Sequence, residues 1–175
     1  MFIKIIGIGE IMKVVLITGY ENSGKSTICK ILKERIVVDR EDREDREDRL
    51  DKKDNIIIFD KYPKDKKDCV GIYKVNDKYI GISSYGDSEE MLAHGFLTII
   101  DEATSKNIKL DTMFFTSRSK GRTYKKAISL ASEHDSNYYN FFSNKIQTVK
   151  TSDETIRQQK SQFLDFVLNV SNTVI

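Results

Sequence analysis

The sequence predicts an α/β protein built as a three-layer sandwich, with a mostly parallel sheet and one β-hairpin. Three observations predict it. Apolar, β-branched runs that do not alternate recur along the chain, in "VVLIT" (Val14 to Thr18) and "NIIIF" (Asn55 to Phe59), as strands buried on both faces do in parallel sheets. Segments whose apolar residues return at helical spacing lie between such runs. Two further strand-like runs, "CVGIYKV" and "YIGISS", flank Asn76-Asp77-Lys78, the spacing of a hairpin with a short loop. Strands alternating with helices belong to α/β sandwiches.

Taken in order, Lys13 to Thr18 is the first strand. From Lys25 the period becomes helical, with Ile28, Ile31, Leu32, Arg35 and Ile36 on one stripe. A triplet repeat, "DREDREDREDR" from Asp39 to Arg49, follows. It pairs opposite charges at i,i+4 on a helix, each pair worth roughly 0.3 kcal/mol, and it has nothing to bury. Residues 39–54 therefore read as a charged insertion, helical or frayed in solvent. Six acids against four arginines from Arg40 to Arg49 argue against phosphate affinity there. The Asn55 to Phe59 run is a second buried strand ending at Asp60. Ser88 to Lys106 reads as a helix, because Leu92, Phe96, Ile99, Ile100 and Ala103 share a stripe behind Ser88 or Asp87 as cap. The next apolar run also follows Asp101 too soon for a parallel crossover. Leu110 to Thr116 is then a strand and Thr123 to Glu133 a helix. "YYNFF" is a strand or tightly packed segment, its aromatics core rather than a base-stacking platform. Ser152 to Val170 is a closing helix with Ile156, Phe163, Val167 and Val170 on its inner face.

A chain of 175 residues, 39% hydrophobic, suffices for one domain with one core, spanning 1–175. Residues 1–12 are either an extension ahead of a natural start at Met12 or an added edge strand. Twenty-nine Lys plus Arg against 27 Asp plus Glu leave no global field to recruit nucleic acid or a membrane surface. An anion site must be local. Two cysteines far apart, no apolar run of spanning length and no cleavage signal point to a cytoplasmic protein.

The local site is Gly19-Tyr20-Glu21-Asn22-Ser23-Gly24-Lys25-Ser26, which satisfies G-x-x-x-x-G-K-[ST] between a strand and a helix. Here the chain resembles the P-loop NTPases. The resemblance implies ATP and Mg2+ as ligands, with backbone amides of Gly19, Glu21, Asn22, Ser23 and Gly24 curling around phosphate and the helix dipole beneath it. It further implies Lys25 on the β- and γ-phosphates, the Ser26 hydroxyl on Mg2+ and Thr27 supporting the α-phosphate. The motif sets a ligand class without a reaction. Guanine is disfavoured, since Asn144-Lys145-Ile146-Gln147 lacks the aspartate of the guanine-reading N-K-x-D pattern.

The rest of the site is sought at the carboxyl ends of the strands. Asp87, after "YIGISSYG", is the candidate for the metal, unless it only caps the following helix. Asp60 is the candidate base or substrate contact, and Asp101 with Glu102 a further carboxylate pair. The "SRSKGRT" loop offers Arg118 to stabilise transferred phosphoryl oxygens and Lys120 to bind phosphate. The stretch from "YIGISSYGD" to "TSRSKGRT" resembles small bacterial P-loop ATPases, and that likeness carries no reaction with it. The resulting expectation is γ-phosphate transfer to a small acceptor such as a nucleotide or nucleoside. Rival expectations are a nucleotide-hydrolysing switch or defence-type ATPase acting on a protein partner, and a binding module without catalysis. His94 and His134 have no spacing for zinc or a triad and are expected to be structural.

Overall fold

Val14, Val15, Leu16 and Ile17 are all fully buried, which an apolar run without alternation requires. Their strand, β1 (Lys13–Gly19), is followed by α1 (Lys25–Glu41), β2 (Ile56–Asp60), β3 (Val70–Val75), β4 (Lys78–Ser83), α2 (Glu89–Ser105), β5 (Thr112–Arg118), α3 (Gly121–His134), β6 (Tyr139–Ser143) and α4 (Asp153–Val170). The structure, a computed structural model, describes residues 12–41, 56–61, 68–135, 137–144, 152–173 and 175. The expectations for residues 1–11 and for the repeat beyond residue 41 lie outside the described residues, as does Pro63.

The strands form one sheet in the order β2-β3-β4-β5-β1-β6. Parallel pairing joins β4, β5, β1 and β6, while β2, β3 and β4 form an antiparallel meander. The β3–β4 turn is Asn76-Asp77, with Asn76 at φ 55°, the left-handed conformation that asparagine tolerates in tight hairpins. Because β2 and β4 run the same way, the ends at Asp60, Ser83, Arg118, Gly19 and Ser143 all lie along one edge of the sheet.

Alternate residues of β1 feed two apolar layers. Val15 and Ile17 pack with Ile28, Leu32 and Ile36 of α1 and with Leu164, Val167 and Leu168 of α4. Val14 and Leu16 pack with Leu92, Phe96 and Ile99 of α2 and with Ala127, Leu130 and Ala131 of α3. Each fully buried large aliphatic among these contributes roughly 1.5–3 kcal/mol by leaving water. Helices thus cover both faces of the sheet. No helix among the described residues is long and apolar enough to cross a membrane.

Three expectations are corrected. First, β2 is half-exposed rather than buried, because it lies at the sheet's edge with a register shift between Ile57 and Phe59. Its unbroken apolar run is still explained, since Ile57 touches one layer and Ile58 and Phe59 the other. Second, the buried stripe of α4 is Lys160, Leu164, Val167 and Leu168, whereas Val170 is exposed and Ile156 and Phe163 are half-buried. A lysine at the start of the stripe disguised it. Third, the "YYNFF" aromatics divide: Phe141 is buried, while Phe142 is exposed on the outer strand. Its ring meets that of Tyr20, also exposed, edge-on at 5.5 Å.

Candidate functional site

β1 ends at Gly19 against the main chain of β6, so closely that a Cβ there would stand 2.6 Å from the Ser143 carbonyl oxygen. The chain then turns through Asn22 (φ 58°) and Gly24 (φ 78°) into α1. Left-handed backbone at Gly24 suits a residue without Cβ. Space requires it too, because an added Cβ would lie 2.7 Å from Lys160 Cε. Ser23 N–H donates to the Tyr20 carbonyl at 3.2 Å, and the Ser23 hydroxyl oxygen is buried with no hydrogen-bond partner. The opening turn of α1 directs N–H groups without intrahelical acceptors towards this loop.

Lys25 is 6% exposed, and its Nζ folds back to donate to the Tyr20 carbonyl at 2.8 Å. Burial holds its pKa below the ordinary lysine value. Asp87 raises it again, Arg118 depresses it further and Glu21 raises it. The charges acting on Lys25 therefore include both Asp87 and Arg118, which the sequence separates from it by some sixty and ninety residues. Ser26 and Thr27 are half-buried in the first turn of α1.

The route by which Asp87 comes near is visible in the loop after β4. Arg118 N–H donates to the Gly86 carbonyl at 3.2 Å, drawing that loop across the end of β5. The cap of α2 is Ser88, whose hydroxyl accepts from Met91 N–H at 3.1 Å. Asp87 is thus released from capping and exposed beside the loop. Arg118 pairs in register with Gly19 and has a buried Nε with no hydrogen-bond partner.

The other basic residues of the "SRSKGRT" loop separate. Lys120 is the N-cap position of α3 and places its Nζ 5.9 Å from the centre of the Tyr20 ring, a cation–π geometry. Arg122 pairs at the rim with Glu89 at 3.3 Å. A 340 Å3 pocket opens beside Tyr20, between Lys120, Tyr124, Asn140 and Phe142.

Asp60 is not among the charges acting on Lys25. Its carboxylate meets Lys33 Nζ at 2.6 Å and, after burial and Cys69, adds to the rise in the Tyr73 hydroxyl pKa. It belongs to an interior network between α1, β2 and β3. Asp101 is exposed and Glu102 half-buried on α2, and Glu102 pairs with Lys106. His94 stacks on Tyr85 and touches Lys61, and His134 packs on Phe96. Among the described residues no group of three or more His, Cys, Asp or Glu is arranged to hold a metal.

Sequence reasoning missed Lys160 and Ser143. Lys160, 4% exposed, donates from Nζ to Ser143 Oγ at 2.9 Å and to the Asn144 carbonyl at 2.7 Å. Ser143 Oγ donates in turn to the Ser23 carbonyl at 2.9 Å. The available signal was the position of Lys160, four residues after Ile156 and four before Leu164, where an apolar residue belongs.

No family model, curated protein or solved structure matches this chain. Its functional reading rests on its own residues.

Proposed function

We propose that the chain binds ATP with Mg2+ at residues Gly19–Thr27 and transfers the γ-phosphate to a small acceptor, such as a nucleotide or nucleoside. The observation that carries this reading is Lys25: a buried cation that forms no ion pair with a described carboxylate, at the mouth of a strand–loop–helix turn. An anion with several oxygens supplies what that ammonium lacks, and a phosphate tail also meets the free N–H groups of the α1 first turn.

In this reading Lys25 leaves the Tyr20 carbonyl to bind the terminal phosphates. Arg118, with its unpartnered Nε, stabilises charge on the oxygens of the transferred group. The Ser26 hydroxyl and the Asp87 carboxylate are hard oxygen donors, the kind Mg2+ takes together with phosphate and water. They fit as its protein ligands without a closed cage. Bound there, the ion would offset phosphate charge. The pocket beside Tyr20 supports an aromatic acceptor or base, because it sets exposed rings next to Lys120 and the Asn140 amide. Asp60, engaged with Lys33, takes no part in this chemistry.

The test is titration calorimetry of the folded protein with Mg-ATP, followed by tracing of γ-labelled phosphate with an added nucleoside and nucleotide pool. Binding is expected, with label appearing on an acceptor. Lys25→Ala should weaken binding about 100-fold, near 2.7 kcal/mol, and Arg118→Ala should lower kcat. Label released only as inorganic phosphate would replace transfer by hydrolysis. Absence of heat with any purine triphosphate would overturn the whole reading.

A further inference from the structure

Lys160 reaches the loop from the far end of the chain. Helix α4 is fastened to α1 by Arg35, which donates to Asp165 Oδ1 at 2.6 Å and to Ser161 Oγ at 2.7 Å, and by an ion pair between Arg157 and Glu34. That docking drives the Lys160 stem behind Gly24, where Cε stands against the position a Cβ would take. Lysine is almost never this buried without a charged partner. Here both acceptors, Ser143 Oγ and the Asn144 carbonyl, are neutral, and no described carboxylate forms an ion pair with it. Two hydrogen bonds hold the group in place and leave its charge standing.

That standing charge separates two roles. A clamp for the end of β6 needs only a donor, and a neutral side chain would supply one without desolvating an ammonium. A buried cation beside a second one, Lys25, destabilises the nucleotide-free protein unless an anion arrives. Burial lowers the Lys160 pKa, and Lys25 lowers it further, so the two ammonium groups feel each other across the loop.

We infer that Lys160 is a positioning residue for the phosphate loop: through Ser143 it sets the Ser23–Gly24 backbone, and its ammonium adds positive potential behind the bound phosphate tail. The inference rests on the reading of Gly19–Thr27 as a phosphate site. It makes that site the joint product of α1 and α4, linked by the relay Lys160 to Ser143 to the Ser23 carbonyl.

The experiment uses the full chain with Lys160→Met, Ser143→Ala and the double variant. Mg-ATP affinity is measured from neutral to alkaline pH, and melting is measured without nucleotide. Lys160→Met is expected to weaken affinity at neutral pH about tenfold, or 1.4 kcal/mol, without lowering the nucleotide-free melting temperature. Ser143→Ala should weaken it by a smaller factor, and the double variant no more than Lys160→Met, because the two act through one relay. Wild-type affinity should fall along an alkaline limb to which proton loss from Lys160, which faces the Lys25 ammonium, contributes. In Lys160→Met that limb should be shallower.

Unchanged affinity in Lys160→Met would overturn the inference while wild-type binding kept the phosphate reading intact. Affinity and nucleotide-free melting falling in step, with the alkaline limb unaltered, would reduce Lys160 to a structural clamp and overturn it as well. Should Lys160→Met fail to fold, Ser143→Ala decides: wild-type affinity in that variant overturns the relay. No binding by the wild type removes both proposals together.

Discussion

Lys33 and Lys25 both belong to α1, yet their side chains end in opposite surroundings. Two turns into the helix, Lys33 meets the Asp60 carboxylate at 2.6 Å, and both side chains are largely withdrawn from water, 14% and 4% exposed. Charge is cancelled where it is buried. At the helix start, Lys25 and the incoming Lys160 find only neutral oxygens, from Tyr20, Ser143 and Asn144. The interior pair is closed by direct contact, whereas the two lysines at the loop make no direct contact with a described carboxylate. Burial alone therefore does not single out a lysine for the proposed site; burial without an ion pair is what sets Lys25 and Lys160 apart from Lys33.

The strongest test of that contrast is Asp60→Ala. It breaks the buried Lys33–Asp60 ion pair, which should cost about 3–5 kcal/mol of stability, read by urea unfolding. Nucleotide affinity of the folded fraction should stay near the wild-type value. An affinity loss as large as that of Lys25→Ala would erase the distinction between the two regions and return Asp60 to the site.

A second comparison sets Gly24→Ala against Gly121→Ala. Both glycines have positive φ, 78° and 80°, so each alanine should cost roughly 1–2 kcal/mol in backbone strain. Gly24→Ala must also push Lys160 aside, whereas nothing lies within 4 Å of the added Cβ at Gly121. Only the former should weaken Mg-ATP binding, about tenfold by the scale used above. Equal affinities in the two variants would show that the Lys160 contact is idle.

Alkaline pH should separate the regions most gently. Cys29 and Cys69 are buried, and burial raises both thiols, Cys69 to about 12. Acids raised on folding stabilise fully below their unfolded value of 9.0, and that stability drains away as pH climbs from there towards the folded value. Lys25 and Lys160 shift the other way, below 10.5. Their proton loss should weaken phosphate binding at a pH where an ordinary lysine remains charged. Cys29→Ala/Cys69→Ala should therefore reduce the alkaline loss of melting temperature while leaving the alkaline loss of affinity in place.

The strand, glycine turn and helix from Lys13 to Ile36 were legible because each signal is local: a change of apolar period, two glycines and a lysine at set spacing. The hairpin was legible for the same reason. Asp60 was misleading because a carboxylate at a strand end looks alike whether it faces a ligand or a lysine from the next layer. Lys33, at ordinary helical spacing, gave no warning. Phe142 was taken for core because sequence does not reveal that β6 lies at the end of the sheet, with one neighbouring strand among the described residues. Lys160 was invisible since its role depends on which turn of α4 meets Gly24, a matter of helix docking. Asp87 was read as a candidate for the metal; Ser88, not Asp87, caps α2, and the Asp87 charge acts on Lys25.

Ser143 and Ser23 are 120 residues apart, and Lys160 lies further on still. During synthesis on the ribosome the glycine turn emerges long before the helix that braces it. A nascent chain would carry the recognisable motif while lacking the brace, so capture of the proposed ligand would come late and would report that α4 had docked.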